Sequence, residues 1–346
     1  MLKKSKRISL ILIAVFMVAV LTFTACGSSN NGASGAGAQG GEGAPIVIKL
    51  AGTGVSATGV DPITIAIEEG YFAEQNLLVE DVGDMDVLQF VAMLENGSID
   101  FSMTMESDGI GAIDQGAKIV EIGVAGTSTE KYPHMVFLVR EDDDLHSATD
   151  LVGKKVAAFG INGCMTGFPY EYLAQAGVED PANAIEFITS PENTLVDSLL
   201  KGDLDCVGIH GPVGVEAIER NYPGVRILFS DYTIFGEKGG DLGWYTSVKY
   251  ADEHPEIVTA FLAAVGKAQN FVNDHPEEAA EIYKPLALNG ISEDFFEVKN
   301  FAKDALIQQS HTEEWLRVLT EGKSFQPLDN EWTFEQVATN KYNPAA

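Results

Sequence analysis

From Ile46 onward, short apolar runs rich in β-branched residues alternate with longer stretches whose apolar positions recur three and four residues apart. The strand-like runs are 46–50, 78–82, 99–103, 119–124, 135–139, 155–159, 205–209, 225–229 and 244–248. Between most of them lies a helical pattern. Asp61 suits an N-cap, Pro62 fits a first turn, and Ile63, Ile65, Ala66 and Ile67 follow. Strands alternating with helices predict parallel sheets covered by helices, an α/β fold. From about Pro255 the pattern is helical throughout. Val258, Phe261, Leu262, Val265 and Val272 share one face, and His275-Pro276 opens another helix. The stretch from Phe325, with Trp332, Phe334 and Tyr342, is expected to wrap back on a lobe.

The pattern repeats once. Residues 52–62 and 160–169 both join a strand to a helix, are glycine-rich, and carry Thr-Gly shortly before a proline. Downstream of each, an amphipathic helix ends in Gly-x-apolar-Asp: Gly97-Ser98-Ile99-Asp100, then Gly202-Asp203-Leu204-Asp205. Glycine there suits a helix C-cap, with the apolar residue opening the next strand. Two signatures recurring in one order predict a βα unit built twice.

The first residues follow another logic. Lys3, Lys4, Lys6 and Arg7 precede an apolar run from Ile8 to Leu21, shorter than the roughly 20 residues a membrane span needs. Basic, apolar, then small residues is the layout of a secretory signal peptide. The run ends in Phe23-Thr24-Ala25-Cys26, which resembles a lipobox, with Phe23 where leucine is commoner. Cleavage before Cys26 and attachment of acyl chains such as palmitate to it are expected; an uncut anchor helix is the alternative. Gly27 to Pro45 are 19 glycine-rich residues, a flexible tether of roughly 25 Å. The protein is expected on the extracytoplasmic face of the cell membrane, held there by its lipid.

Residues 1–25 hold four of the 22 basic residues and none of the 51 acidic ones, so cleavage takes the net charge from −29 to −33. That charge repels phosphate backbones and anionic head groups, and excludes nucleic acid as a partner. Cys164 follows the end of one expected strand and Cys206 begins another. In a parallel sheet those ends lie roughly 15 Å apart, beyond the roughly 7 Å a disulfide spans, so two separate thiols are expected. No metal or cofactor is expected. There is no HExxH or paired CxxC, the six histidines lack metal spacing, and Glu141-Asp142-Asp143-Asp144 lacks the glycine of an EF-hand loop.

Several segments in order resemble the nitrate/sulfonate/taurine group of ABC-transporter substrate-binding proteins, which includes binders of vitamin precursors. They are Ile65-Ala66-Ile67-Glu68-Glu69-Gly70-Tyr71-Phe72, Asn96-Gly97-Ser98-Ile99-Asp100-Phe101, Asp150-Leu151-Val152-Gly153-Lys154-Lys155-Val156, Leu200-Lys201-Gly202-Asp203-Leu204-Asp205 and His275-Pro276-Glu277-Glu278-Ala279-Ala280. Asn76 stands where the family usually has glycine. The resemblance implies a periplasmic-binding-protein-like II fold: two lobes, each a mostly parallel sheet flanked by helices, joined by a two-segment hinge near 128–133 and 240–244. It divides the chain into signal peptide (1–25), lipidated cysteine and linker (26–45), lobe one (46–130), lobe two (131–243), and a return to lobe one with the C-terminal helices (244–346). It implies a monomer that captures a small organic solute between its lobes and delivers it to an ABC permease and ATPase complex, without catalysis. An enzyme on the same fold, or a sensor for a membrane receptor, are the alternatives. The cysteine-rich motif of the pyrimidine-precursor subgroup is absent.

Four loops are expected at the cleft: Thr53, Ser56 and Thr58; Met105, Glu106 and Ser107; Asn162, Cys164 and Thr166; and His210. Exposed N–H groups at helix starts suit an anion or a polar substituent. Thr58 and Thr166 serve equally well as plain caps, and Trp244 reads as hinge core or as a stacking wall. These loops bring Glu106, Asp61 and Asp108 toward the site, and no lysine or arginine. A neutral, zwitterionic or partly cationic solute is therefore expected, with Glu106 meeting any positive group.

Overall fold

The computed structural model describes residues 44–51, 60–83, 87–161, 163–210, 214–285, 298 and 300–346. The expected signal peptide, Cys26 and the tether to Gly43 lie outside the described residues, as do Thr53, Ser56, Thr58 and Asn162. Among the described residues no helix is long and apolar enough to cross a membrane.

Among the described residues ten strands form two five-stranded sheets. The first holds β1 (Ile46–Ala51), β2 (Leu77–Asp81), β3 (Phe101–Met105) and β4 (Ile119–Val124). The second holds β5 (Met135–Arg140), β6 (Lys155–Ala158), β7 (Glu186–Thr189), β8 (Cys206–His210) and β9 (Val225–Ser230). β10 (Leu242–Ser247) returns to the first sheet. The orders are β2-β1-β3-β10-β4 and β7-β6-β8-β5-β9. In each sheet one strand, β10 or β5, runs antiparallel to both neighbours, and the other pairings are parallel. Both sheets are thus mostly parallel, helices flank them, and each has the same plan.

The repeated Gly-x-apolar-Asp motif has the same task in both sheets. Gly97 and Gly202 take left-handed backbone at φ 75° and 80°, where a side chain would be strained. Asp100 accepts a hydrogen bond from Lys49 N at 2.8 Å and returns one from its own N–H to Lys49 O at 2.8 Å. Asp205 repeats this with Lys155, at 2.9 and 3.0 Å. The motif ties the residue just before β3 or β8 to the neighbouring parallel strand and fixes their register.

Nine of the ten strands follow the sequence expectation within about two residues. β7 was not expected: it is an edge strand with exposed Glu186 and Thr189 around half-buried Phe187 and Ile188, too polar to stand out. Cys164 opens the helix Cys164–Gln175 and Cys206 opens β8; both thiols are free and buried.

The chain passes between sheets twice, over 125–134 and 231–241. The crossings are pinned together. Ser128 Oγ donates to the Asp231 carboxylate, Met135 N donates to Asp231 Oδ1 at 2.9 Å, and His134 N donates to Ser128 Oγ at 3.0 Å. Burial raises the Asp231 carboxyl to about 6, against the lowering effect of these donors.

Trp244 packs edge-on to Phe261 at 5.3 Å within the core under the first sheet, 1% exposed. A second core runs continuously from Phe90 and Ile110 through Phe137, Phe168 and Phe229 to Trp315 and Phe325. Trp315, on the helix Gln309–Glu321, stacks near Phe235 at 5.1 Å and meets Phe325 edge-on at 5.2 Å. Phe325 meets Phe168 of the second lobe at 6.0 Å. Beyond it, Ala338 bridges to Glu121 of β4. The C-terminal segment therefore packs on both lobes, where sequence suggested one.

A Cβ added at Gly240 would lie 2.1 Å from Ser128 Oγ and 2.7 Å from His134 Cβ. The side chains it meets are fixed by the Asp231 network. Gly240→Ala is expected to lower unfolding free energy by about 1–3 kcal/mol in urea denaturation, the usual cost of overpacking. Gly111→Ala, which meets nothing within 4 Å, is the control with little change.

Candidate functional site

A cavity of about 1270 Å³ opens where the two sheets face each other. The first lobe contributes the end of β3 with Met103, Thr104 and Met105, and the helix Glu106–Asp114 that follows without a loop. The second contributes Ile161 and the start of the helix Cys164–Gln175, with Gly163, Cys164, Met165 and Thr166. Hinge residues His134 and Leu242 also reach it, and Phe325 to Leu328 of the C-terminal segment form a further wall. Carboxyl ends of strands and amino ends of helices therefore converge, the usual ligand crevice of open α/β sheets.

Of the expected site residues, Met105, Ser107, Cys164 and Thr166 line this cavity. Thr166 Oγ1 donates to Ile161 O at 3.2 Å, so it ties its own loop as well. His210 ends β8, and its side chain lies outside the described residues. Trp244 does not line the cavity; its ring belongs to the core. Glu106 does not line it either. Successive helical residues turn by about 100°, so Glu106 and Asp108 point roughly 200° apart. Ser107 and Asp108 face the cavity, and Glu106 turns into the protein, fully buried. Reading 105–107 as a loop hid that division; recognising a helix starting at Glu106 would have shown it.

Asp108 reaches across the cleft. A Cβ on Gly163 would lie 3.2 Å from Asp108 Oδ1, so the carboxylate covers the start of the opposing helix. Gly163 has φ 54°, which only glycine adopts easily. Burial pushes the Asp108 carboxyl up to about 6. Burial, with Asp108 and then Asp231 adding negative charge, pushes the Cys164 thiol well above its ordinary range. It is held as an unreactive thiol. Among the described residues no group of three or more histidine, cysteine or acidic side chains is placed to hold a metal ion.

Glu106 enters a buried acid cluster beneath the cavity floor. Glu121 of β4 and Asp241 of the second crossing face it, both 1% exposed. His311 Nδ1 and Asp241 Oδ2 are 2.8 Å apart, Tyr245 OH donates to Glu121 Oε2 at 3.4 Å, and Glu106 N donates to Asp241 O at 3.1 Å. Neither Glu106 carboxyl oxygen has a partner at full hydrogen-bond geometry, and the nearby Thr312 hydroxyl and Glu121 offset its burial only in part. Burial first, then the Asp241 charge, raises Glu106 to about 8; burial and Glu106 raise Glu121 as well. A carboxyl raised on folding keeps a proton that the unfolded chain gives up above about pH 4.5. Its stabilising share is complete below that pH and disappears as pH climbs toward 8. Unfolding free energy is therefore expected to fall from pH 5 to pH 8, by up to about 1.4 kcal/mol per pH unit for each retained proton, and melting temperature with it. Glu106→Gln should flatten that slope and raise stability at pH 8. A wild-type slope unchanged in the variant would contradict it.

The chain was compared with known proteins. A sequence model of the family described as NMT1/THI5 like matches residues 57–279. The formylaminopyrimidine-binding protein of Halalkalibacterium halodurans is 26% identical over 226 residues, 63% of this chain and 64% of that protein. The chain thus matches somewhat under two thirds of that relative's length. Among solved structures, the periplasmic aliphatic sulphonate binding protein SsuA of Escherichia coli superposes with a TM-score of 0.65 at 17% identity, covering 86% of this chain and 98% of its own. The alkanesulfonate-binding protein SsuA of Xanthomonas axonopodis pv. citri, bound to MOPS, gives 0.62 at 14%, covering 87% and 99%. The desulfurization enzyme DSZB gives 0.56 at 12%, covering 87% and 98%. These structures share the two-lobe fold of periplasmic binding proteins, and with residues 57–279 matched the chain belongs to the NMT1/THI5-like family.

Proposed function

We propose that this chain is an extracytoplasmic solute-binding lipoprotein, which captures a small organic molecule between its lobes and delivers it to an ABC permease and ATPase complex. The observation that carries this is the cavity itself, walled by both lobes and reached by His134 of the first crossing and by Leu242, where the chain leaves the second. At about 1270 Å³ it is larger than the roughly 300–1,000 Å³ usual for a small-molecule site, as suits a cleft that narrows when lobes close. The family and the binding proteins among its relatives support the reading. Cys26, preceded by Ala25 and followed by a glycine-rich tether, supports lipid attachment.

Catalysis on the same fold is the competing reading, since DSZB shares it. The cavity's own chemistry disfavours it. Cys164 is the one nucleophilic thiol at its wall among the described residues, and burial beside two carboxylates keeps it protonated. The protein is a monomer that releases its solute unchanged.

Two measurements test this. Native mass spectrometry of protein extracted gently from membranes is expected to show a small molecule bound at one per chain, recovered with unaltered mass after denaturation. A converted molecule would favour the enzyme. The intact mass of the same sample is expected to fit a lipid-bearing chain that begins at residue 26; an unmodified full-length chain would remove the anchor.

A further inference from the structure

The charge lining the cavity is one-sided. Its described walls carry the carboxylates of Glu95, Asp108 and Asp114 and the imidazole of His134, with no lysine or arginine. The segments 52–59, 162 and 211–213, outside the described residues, contain no lysine or arginine either.

Two of the three carboxylates are already engaged by the protein. Glu95 Oε1 accepts from Lys118 N at 2.8 Å. Asp114 accepts from Asp329 N at 2.8 Å, Trp332 Nε1 at 2.9 Å, and Asn330 N and Nδ2 at 3.1 and 2.9 Å. Against the raising effect of burial, those donors hold it below its ordinary range. Asp114 is thus an anchor for the C-terminal wall.

Asp108 differs. Among the described residues no hydrogen bond reaches its carboxylate, which is half-buried at the cavity wall beside the start of the opposing helix. Beside it, Ser107 is 4% exposed and lines the cavity, and its hydroxyl has no hydrogen-bond partner. A hydroxyl withdrawn from water with nothing to meet is costly, and in native proteins such groups have partners; the half-buried carboxylate beside it also has hydrogen-bonding capacity to spare. Both face the same space, opposite the start of a helix from the other lobe. The surrounding wall is apolar and polarisable: Met103, Met105, Met165, Phe325 and Leu328.

Resting on the solute-binding reading, we propose that the solute is a small organic cation: an apolar body bearing a protonated amine or amidine, whose N–H groups bind the Asp108 carboxylate and the Ser107 hydroxyl. The cation supplies the donors that Asp108 lacks, and the methionine-rich wall takes the body. An anion at the same place would meet that carboxylate and, among the described residues of the wall, no lysine or arginine.

The test is a thermal-shift and calorimetric series at pH 7.5 on the soluble chain without residues 1–26. The cationic probes are benzylamine, benzamidine and phenethylamine. The anionic probes are benzenesulfonate, benzoate and ethanesulfonate. Expected is stabilisation by the cationic series above the anionic one. Asp108→Asn should weaken it by roughly tenfold to a hundredfold, the span of a charge-assisted hydrogen bond, and Asp108→Glu should retain part of it. Ser107→Ala should weaken it by a smaller factor. Melting temperature without probe, unchanged or higher in Asp108→Asn, shows that the variant folds.

Stronger binding of benzenesulfonate or ethanesulfonate, kept or tightened in Asp108→Asn, would overturn the cation assignment and leave solute binding intact. Equal binding of cations by wild type and Asp108→Asn would overturn the role of Asp108. No shift from any cationic probe at millimolar concentration would also overturn the assignment. Solute binding itself then stands or falls on the adduct in native mass spectrometry.

Discussion

Each sheet of this protein is completed by a strand that arrives from across the hinge. β5 enters the second sheet between β8 and β9 directly after the first crossing, and β10 enters the first between β3 and β4 directly after the second. An inserted strand is hydrogen-bonded on both edges, so neither lobe can let go of it without opening its own ladder. The freedom left to the lobes lies in two short crossings, and those are pinned by the Ser128–Asp231–Met135 network and the close approach of Gly240. The cleft follows from this arrangement. β3 delivers Ser107 and Asp108 to it directly, and its last residue, Met105, pairs with Leu242 as the chain leaves the hinge.

A third connection limits how far the lobes can part. The helix Gln309–Glu321 and the segment after it press Trp315 and Phe325 against Phe168, and Ser324 Oγ donates to Glu171 Oε2 at 2.5 Å. Gly167 has no room for a side chain, since a Cβ there would fall 2.2 Å from the Phe325 ring. At the same joint Glu106, Glu121 and Asp241 lie buried together. Buried charges need partners, and His311 serves only Asp241. Glu106 and Glu121 meet the constraint by keeping protons, which lets acids occupy a hinge without forcing it apart.

Much of this was legible in the sequence because it rests on local rules. Alternating apolar runs located nine strands, and the recurrence of Gly-x-apolar-Asp announced two equivalent sheets. Asp100 and Asp205 were noticed as a pattern, and the structure gives them a reason in their paired bonds to Lys49 and Lys155. What sequence could not give was direction. Glu106 and Asp108 are both acidic residues at one strand end, and a single helical turn sends one to the core and the other to the cleft. Nor could it show that residues 319–328, far from every expected loop, wall the cavity, because that depends on long-range packing around Trp315.

Shared architecture with alkanesulfonate binders supplies helix starts at a cleft, and helix starts alone favour anions. What decides charge is the set of side chains placed among them, and at 17% identity those are free to differ. Here the second lobe offers the start of the helix Cys164–Gln175, and the first lobe lays Asp108 across it. The positive end of one helix is therefore occupied by the protein's own carboxylate. A fold shared with sulfonate-binding proteins presents, in this chain, an acid with hydrogen-bonding capacity to spare at that helix start.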